Sequence, residues 1–136
     1  MSNGLAIAAV TRVLQDMLHS GLVASGIGGA LGGTVTVSAL PPDRILGEAA
    51  ATAEATQLNL YLHQVTPNTG WSARDLPSRD ARADRIVDPM LALDLYYLLT
   101  AYAEEEFQGE ILLGHAMLLL HENGVLSRDF IRDVLA

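Results

Sequence analysis

The stretch QLNLYLHQVTPN, residues 57–68, is the best guide to the fold class because its apolar and polar residues alternate. Its leucines recur at every second position and therefore fall on one face of an extended chain: Leu58, Leu60 and Leu62. The opposite face takes Asn59, Tyr61, His63 and Val65. This alternation predicts a half-buried β-strand over residues 57–66, which the pair Pro67-Asn68 closes.

A second long strand is predicted over residues 90–102, MLALDLYYLLTAY, an almost continuous apolar run in which Asp94 is the only charge. Its length alone would also allow a helix. The run alternates, however, and Pro89 precedes it, so a strand is favoured. A nearly continuous apolar strand is typical of a position covered on both faces, and we therefore expect it at the centre of the sheet.

Residues 5–20 have the clearest helical period of the chain, and one face of the helix would take the following apolar residues: Ile7, Val10, Leu14, Met17 and Leu18. Gly21 is expected to end this helix. A short β-branched run at residues 34–38 predicts a further strand, which Pro41-Pro42-Asp43 stops. Residues 45–56 are rich in alanine and fit either a short helix or a connection.

The last third of the chain is predicted to be helical. Residues 107–121 are apolar nearly all round, which indicates a mostly buried helix. Three glutamates, Glu104 to Glu106, would open it, because the first turn of a helix favours negative charge. Ser127 is expected to cap a final helix over residues 128–135. Together these elements predict a single small domain of helices and strands over residues 1–136.

Composition excludes several classes of function. Sixteen acidic residues stand against eight basic ones, so the formal net charge is −8, and a chain of this charge would repel a nucleic acid. The absence of cysteine excludes disulfides and thiolate metal sites. Half of the residues are hydrophobic, which is high for a small soluble monomer and predicts that some apolar surface faces a partner chain.

The sequence also predicts no membrane insertion. No apolar run reaches the roughly 18 to 20 residues that a membrane-spanning helix needs. The N-terminal residues lack the basic start of a secretory signal. We therefore expect a soluble, cytoplasmic protein.

Enzymatic motifs are missing, and the chain is predicted to be neither an enzyme nor a cofactor or metal binder. The glycine-rich residues 26–33 lack the lysine of a phosphate-binding loop and lead into a strand, so a flexible connector is predicted there. His115 and His121 are six residues apart, which is not the spacing of a helical metal site. No G-x-S-x-G motif supplies a nucleophile.

The polar stretch of residues 70–88 interleaves arginines with aspartates and is the strongest interaction candidate in the sequence. Its candidate interface residues are Trp71, Arg74, Asp75, Arg79, Arg82, Asp84 and Arg85. Two interpretations remain open: a structural part of a larger assembly, or a small adaptor that docks an acidic protein through residues 72–86. A third interpretation, a hydrolase with an unrecognised site, is supported by no motif in the sequence.

Asp94 breaks the pattern of the second strand, because an unpaired charge in a core costs several kcal/mol. Either it forms a candidate buried pair with an arginine, from residues 74–85 or from an adjacent subunit, or its strand is less buried than the run suggests.

Several blocks of the chain together resemble one family. The blocks are TVTV at 34–37, LPPDR at 40–44, QLNLYLHQVTPN at 57–68, DLPSR at 75–79, LDLYYLLTAY at 93–102 and ILLGHAM at 111–117. They are similar, in the same order, to the tube-terminator or cap proteins of phage-tail-like contractile injection systems, of the antifeeding-prophage and virulence-cassette type.

The resemblance implies an α+β or mixed α/β fold akin to phage tail terminators, with a central mixed sheet flanked by helices. It also implies a purely structural role without cofactors. The chain would form a homohexameric ring that ends the inner tube and contacts the tail tube protein and the sheath protein. It would act in the cytoplasm of the producing bacterium, within the assembled particle. Family members usually continue past Ala136 with a further strand-forming segment, so either residues 1–136 complete the sheet or a neighbouring subunit supplies an edge.

Overall fold

A computed structural model of the chain describes residues 4–31, 33–44, 56–72 and 91–136. Its helices are α1 (Ala6–Ser25), α2 (Ile27–Ala30), α3 (Thr69–Ser72), α4 (Gln108–Glu122) and α5 (Arg128–Leu135). Its strands are β1 (Thr36–Ser38), β2 (Gln57–Pro67) and β3 (Leu93–Tyr102). Residues 45–55, most of the alanine-rich stretch that fits either a short helix or a connection, lie outside the described residues.

The described strands form one mixed sheet in the order β1-β2-β3. β1 runs parallel to β2, and Val37 pairs with Leu58 in the middle of that contact. The α+β fold class predicted from the sequence is therefore confirmed. The position predicted for β3 is wrong: within the described residues it lies at the edge of the sheet, and its Tyr96 and Leu98 are exposed.

The central strand is β2, and its first half is covered on both faces. Leu58, Asn59 and Leu60 are all buried, although the alternation predicts that Asn59 faces away from the core. Alternation reports only which residues share a face, not whether that face is covered, and the Asn59 side chain is enclosed by its contacts with Ser38 and Leu40.

Asn59 is completely buried and holds β1 in place through its side-chain amide. Its Oδ1 accepts hydrogen bonds from the Ser38 hydroxyl at 2.9 Å and from the Leu40 backbone N–H at 3.1 Å. Its Nδ2 donates to the Leu40 carbonyl oxygen at 2.9 Å. The Gln57 side chain donates to the same Ser38 hydroxyl at 2.6 Å. A buried amide is tolerated here because its hydrogen bonds replace those that it loses with water.

Helix α1 contributes buried side chains to the core. It extends beyond the predicted range of residues 5–20 and reaches Ser25. Gly26 ends it in a left-handed conformation, with its backbone N–H donating to the Val23 carbonyl oxygen at 3.2 Å. Gly21 does not end the helix; it leaves room for the side chain of Leu119 from α4, which a Cβ at position 21 would meet at 2.6 Å.

The core combines α1 with β1, β2, α2 and α4. Its buried apolar residues are Val13, Met17, Leu18, Leu22, Ile27, Leu31, Val37, Leu58, Leu60, Leu112 and Ala116. Ile7, predicted on the apolar face of α1, is exposed. The Gln15 side chain, predicted on the polar face, donates to the Val37 carbonyl oxygen at 2.8 Å and so ties α1 to β1.

Helix α4 differs most from its prediction. Only Leu112 and Ala116 are buried in it, so the expectation of a mostly buried helix is wrong. Its apolar residues lie all around the helix axis, and the one face that packs against the core buries only some of them. Helix α5 begins as predicted, with the Ser127 hydroxyl accepting a hydrogen bond from the Phe130 backbone N–H at 3.2 Å.

Residue contacts group the chain into two compact units. The first comprises Met1–Tyr61 and Leu98–Ala136 and holds α1, α2, β1, α4 and α5. The second is Leu62–Tyr97. Among the described residues, no helix is both long and apolar enough to cross a membrane. A single domain over residues 1–136 stays a prediction.

Candidate interaction surfaces

The residues predicted to form an interface lie almost entirely beyond what the structure describes. Trp71 belongs to α3, and its side chain is among the undescribed parts. The charged members of the set, Arg74, Asp75, Arg79, Arg82, Asp84 and Arg85, fall in residues 73–90, which are also outside the described residues. Their role as an interface stays a prediction.

Asp94 lies in β3 within the unit Leu62–Tyr97, and it is half-buried. Its Oδ1 accepts a hydrogen bond from the Asn68 side-chain amide at 2.9 Å. The Asn68 backbone N–H donates to the Ala92 carbonyl oxygen, so Asn68 links the end of β2 to the start of β3. Partial exposure and this hydrogen bond lower the cost of the charge. An arginine partner from residues 74–85 stays a prediction, because those residues are not described.

A cavity of about 560 Å³ opens beside the C-terminal half of α1. Its described lining is mostly apolar or glycine: His19, Leu22, Val23, Gly26, Gly28, Gly29, Gly33, Thr34 and Val35. The volume lies within the range of roughly 300–1,000 Å³ that is usual for binding pockets. The imidazole of His19 is the only ionisable side chain among these residues, so the cavity suits an apolar occupant.

Described residues of the glycine-rich stretch line this cavity, and the stretch contains the short helix α2; its predicted flexibility stays a prediction. Ile27 and Leu31 are buried and anchor α2 to the core. The Gly33 backbone N–H donates to the Gly28 carbonyl oxygen at 2.9 Å, and this hydrogen bond joins Gly33 to helix α2. A Cβ at position 28 would lie 2.6 Å from the Gly33 carbonyl oxygen, so close approach of the backbone requires glycine there.

The outer face of α4 is an exposed apolar surface in the unit that also holds the cavity. It is defined by Phe107, Ile111, Met117 and Leu118, all of them exposed. Glutamates surround its N-terminal end, with Glu104, Glu105, Glu106 and Glu110 all exposed. Exposed apolar residues grouped on one face, with a charged rim, are typical of a surface that contacts another protein.

Phe107 has an unusual backbone conformation at the start of α4. Its φ is 68°, and among the described residues it is the one non-glycine residue with a positive φ. Bulky side chains rarely adopt this left-handed region, and holding one there costs on the order of 1–3 kcal/mol. Neither Phe107 nor the cavity was singled out in the sequence as part of a site. The motif EEEF carries no signal of a left-handed residue, since glycine or asparagine is the residue expected there.

No group of three or more His, Asp or Glu side chains in the described parts of the chain is placed to hold a metal ion. In the same residues, every buried side-chain nitrogen and oxygen has a hydrogen-bond partner.

Comparison with known proteins gives one match. The family model described as the Pvc16 N-terminal domain matches residues 9–136. No curated protein and no solved structure matches the chain.

Proposed function

Because this chain belongs to the Pvc16 N-terminal domain family, we propose that it is the terminator of the inner tube in a phage-tail-like contractile injection system. The family model spans nearly the whole chain, and it confirms the resemblance that the sequence blocks indicate. Membership in this family makes the chain a component of a Pvc-type contractile injection system. The match over residues 9–136 is the observation that carries the proposal.

The proposed assembly is a homohexameric ring at the end of the tube. A ring closes when one head-to-tail contact repeats around a rotation axis. A stable contact of this kind buries about 1,200 Å² or more in total, which requires extensive exposed surface on each copy. The exposed apolar residues of α4 support this part of the proposal.

The ring would contact two other proteins of the particle, the tail tube protein and the sheath protein. With a formal charge of −8 on each copy, a ring would concentrate negative charge at the tube end. Such a ring would favour partner surfaces of complementary sign, since charge complementarity selects partners and raises association rates. The arginines of residues 72–86 would supply positive charge at the contact with tube or sheath.

The role we propose is structural: the chain stops tube growth, anchors the terminal sheath ring and makes or breaks no covalent bond. It would act without a cofactor, metal ion or nucleic acid. The site of action is the cytoplasm of the producing bacterium, as part of the assembled particle.

Imaging of complete particles tests this function. With an electron-dense label on this chain, we expect the label at one end of the tube, opposite the baseplate. Particles made without the chain should have tubes of uncontrolled length. Labels scattered along the sheath, or normal tube lengths in its absence, would contradict the proposal.

A deletion within the chain tests how it attaches. Removing residues 72–86 should leave the domain folded, as judged by circular dichroism, but should abolish its retention on purified particles. Normal retention after the deletion would remove the role assigned to this segment. If the full-length chain instead binds an acidic protein through residues 72–86 and is never found on particles, the adaptor interpretation would replace the terminator.

A further inference from the structure

We infer that Phe107 of one copy inserts into the cavity beside α1 of the next copy, which makes this pair the head-to-tail contact of the proposed ring. The inference rests on the proposed function, because it requires copies of the chain to meet in a repeating arrangement. It names the two surfaces that meet and the single side chain that anchors them.

Phe107 has the features of an anchor residue. Its side chain is 63% exposed, although a phenylalanine loses favourable free energy when it is left in water. Its φ of 68° is unfavourable for a bulky residue. Glycine would satisfy this backbone conformation without strain. Neither the stability nor the solubility of the isolated chain explains an aromatic residue at this position. Phe107 is therefore expected to gain favourable free energy by contacting another molecule.

The cavity has the features of a receptor for an apolar side chain. Gly29 and Gly33 line it, neither has a positive φ, and a Cβ added to either would meet no described atom within 4 Å. Neither the backbone conformation nor packing among the described residues therefore requires glycine at these two positions. Gly29 also lies within α2, where glycine is less favourable than alanine. What these glycines preserve is the open space of the cavity.

The two surfaces lie on opposite sides of α1, so Phe107 cannot reach the cavity of its own chain. Gly21 faces α4, because the side chain of Leu119 packs against it. His19 and Val23 line the cavity, and each is two positions from Gly21, which places them about 160° around the helix. Phe107 is a further 18 Å or so along α4 from Leu119. A Phe107 side chain in this cavity must therefore come from a second copy.

Charge favours the same pairing. Phe107 is surrounded by the exposed glutamates Glu104, Glu105, Glu106 and Glu110. The described lining of the cavity contains no carboxylate, and His19 is its one ionisable group. Arg12 lies on the same side of α1 as His19, two turns earlier in the helix, and half-buried Asp16 lies between them. Two copies of the glutamate-rich end would repel one another, so the contact is head-to-tail rather than symmetric.

A photo-reactive phenylalanine at position 107 tests the contact in complete particles. p-Benzoylphenylalanine keeps the aromatic character and, on irradiation, bonds to whatever lies against it. We expect cross-linked dimers of this chain, with the adduct mapped by mass spectrometry to residues 19–35. An adduct on the tube or sheath protein, an adduct within one chain, or no adduct would each overturn the inference.

Two pairs of variants test the same contact by retention on particles. Phe107→Gly removes the anchor, and Gly29→Leu fills the cavity; each should lower retention by about tenfold or more, as for a central anchor. The thermal unfolding midpoint of the isolated chain should stay the same or rise, since one change relieves strain and the other fills space. Val125→Ser and Gly4→Leu are the matched controls, and both should retain normally.

The outcomes separate this inference from the function on which it rests. Normal retention of Phe107→Gly or Gly29→Leu would overturn the contact while leaving the terminator role intact. A small molecule found in the cavity by mass spectrometry of the native protein would also overturn it. A chain that is absent from the tube end in labelled particles would overturn the terminator role, and the contact with it.

Discussion

Helices α1 and α4 contrast in how they use apolar residues. α4 is the more apolar of the two, yet it buries only Leu112 and Ala116, whereas α1 buries Val13, Met17, Leu18 and Leu22. α1 has its apolar residues on one stripe that matches the sheet and the helices around it. α4 has apolar residues on more sides than one chain covers.

Apolar content and burial are therefore separate properties in a small domain. Residues of α1 stabilise the fold of the single chain, whereas the outer face of α4 contributes little to that fold. Contiguous exposed apolar surface is rare on monomers and is typical of interfaces. Substitutions at matched positions in the two regions should consequently separate stability from assembly.

The largest difference is expected between two leucines. Leu18 in α1 is 0% exposed, whereas Leu118 in α4 is 52% exposed. Leu18→Ala should lower the free energy of unfolding by about 2–5 kcal/mol, because it removes buried atoms and leaves a cavity. Leu118→Ala should change it by less than about 0.5 kcal/mol. Urea denaturation of the isolated chain measures both; equal losses would mean that the outer face of α4 also belongs to the core.

An intermediate effect is expected at two asparagines. Asn59 is buried and makes three hydrogen bonds to Ser38 and Leu40, so Asn59→Ala should cost about 2–3 kcal/mol of unfolding free energy. Asn123, which follows α4, donates one exposed hydrogen bond to the Leu119 carbonyl oxygen. Asn123→Ala should cost less than about 0.5 kcal/mol. Amide hydrogen exchange at Leu40 should accelerate only in the first variant, and unchanged protection there would contradict the role of Asn59.

The smallest effect is expected at two glutamines. Gln15 donates to the Val37 carbonyl oxygen at 2.8 Å in a partly buried contact, so Gln15→Ala should cost about 1 kcal/mol. Gln108 in α4 donates to Glu105 at 3.2 Å in an exposed contact, and Gln108→Ala should leave stability unchanged within about 0.5 kcal/mol. Thermal unfolding followed by circular dichroism resolves the pair. A larger loss of unfolding free energy for Gln108→Ala than for Gln15→Ala would contradict the assignment of α1 to the core and of the outer face of α4 to the surface.

Elements with strong local signals were predictable from the sequence. The alternation after Gln57 gave β2, and Ser127 capped α5 as its residue type predicts. The choice of a strand over a helix for residues 90–102 was also correct, since β3 occupies Leu93–Tyr102. The central position predicted for β3 was wrong because a run of apolar residues reports hydrophobicity but not the order of strands in a sheet.

The candidate site was less accessible to sequence reasoning. The glycine-rich stretch has no phosphate-binding motif, and nothing local distinguishes a connector from a cavity wall. The wall forms because Ile27 and Leu31 bury their side chains and the Gly33 N–H bonds to Gly28. The charged residues predicted as an interface fall in residues 73–90, beyond the described parts, and stay predictions.

Most of the helices and strands could be read from the order of residues, because periodicity and capping are properties of nearby positions along the chain. The α+β class and the family followed from the resemblance of the sequence blocks to a known family. Three-dimensional packing was needed to establish that Asn59 is buried, that β3 lies at the edge of the described sheet and that Phe107 adopts a left-handed conformation. The same holds for the cavity beside α1. The burial of Asn59, the strand order and the cavity depend on contacts between residues far apart in the chain, and the free energy of such contacts appears only once the elements are packed together.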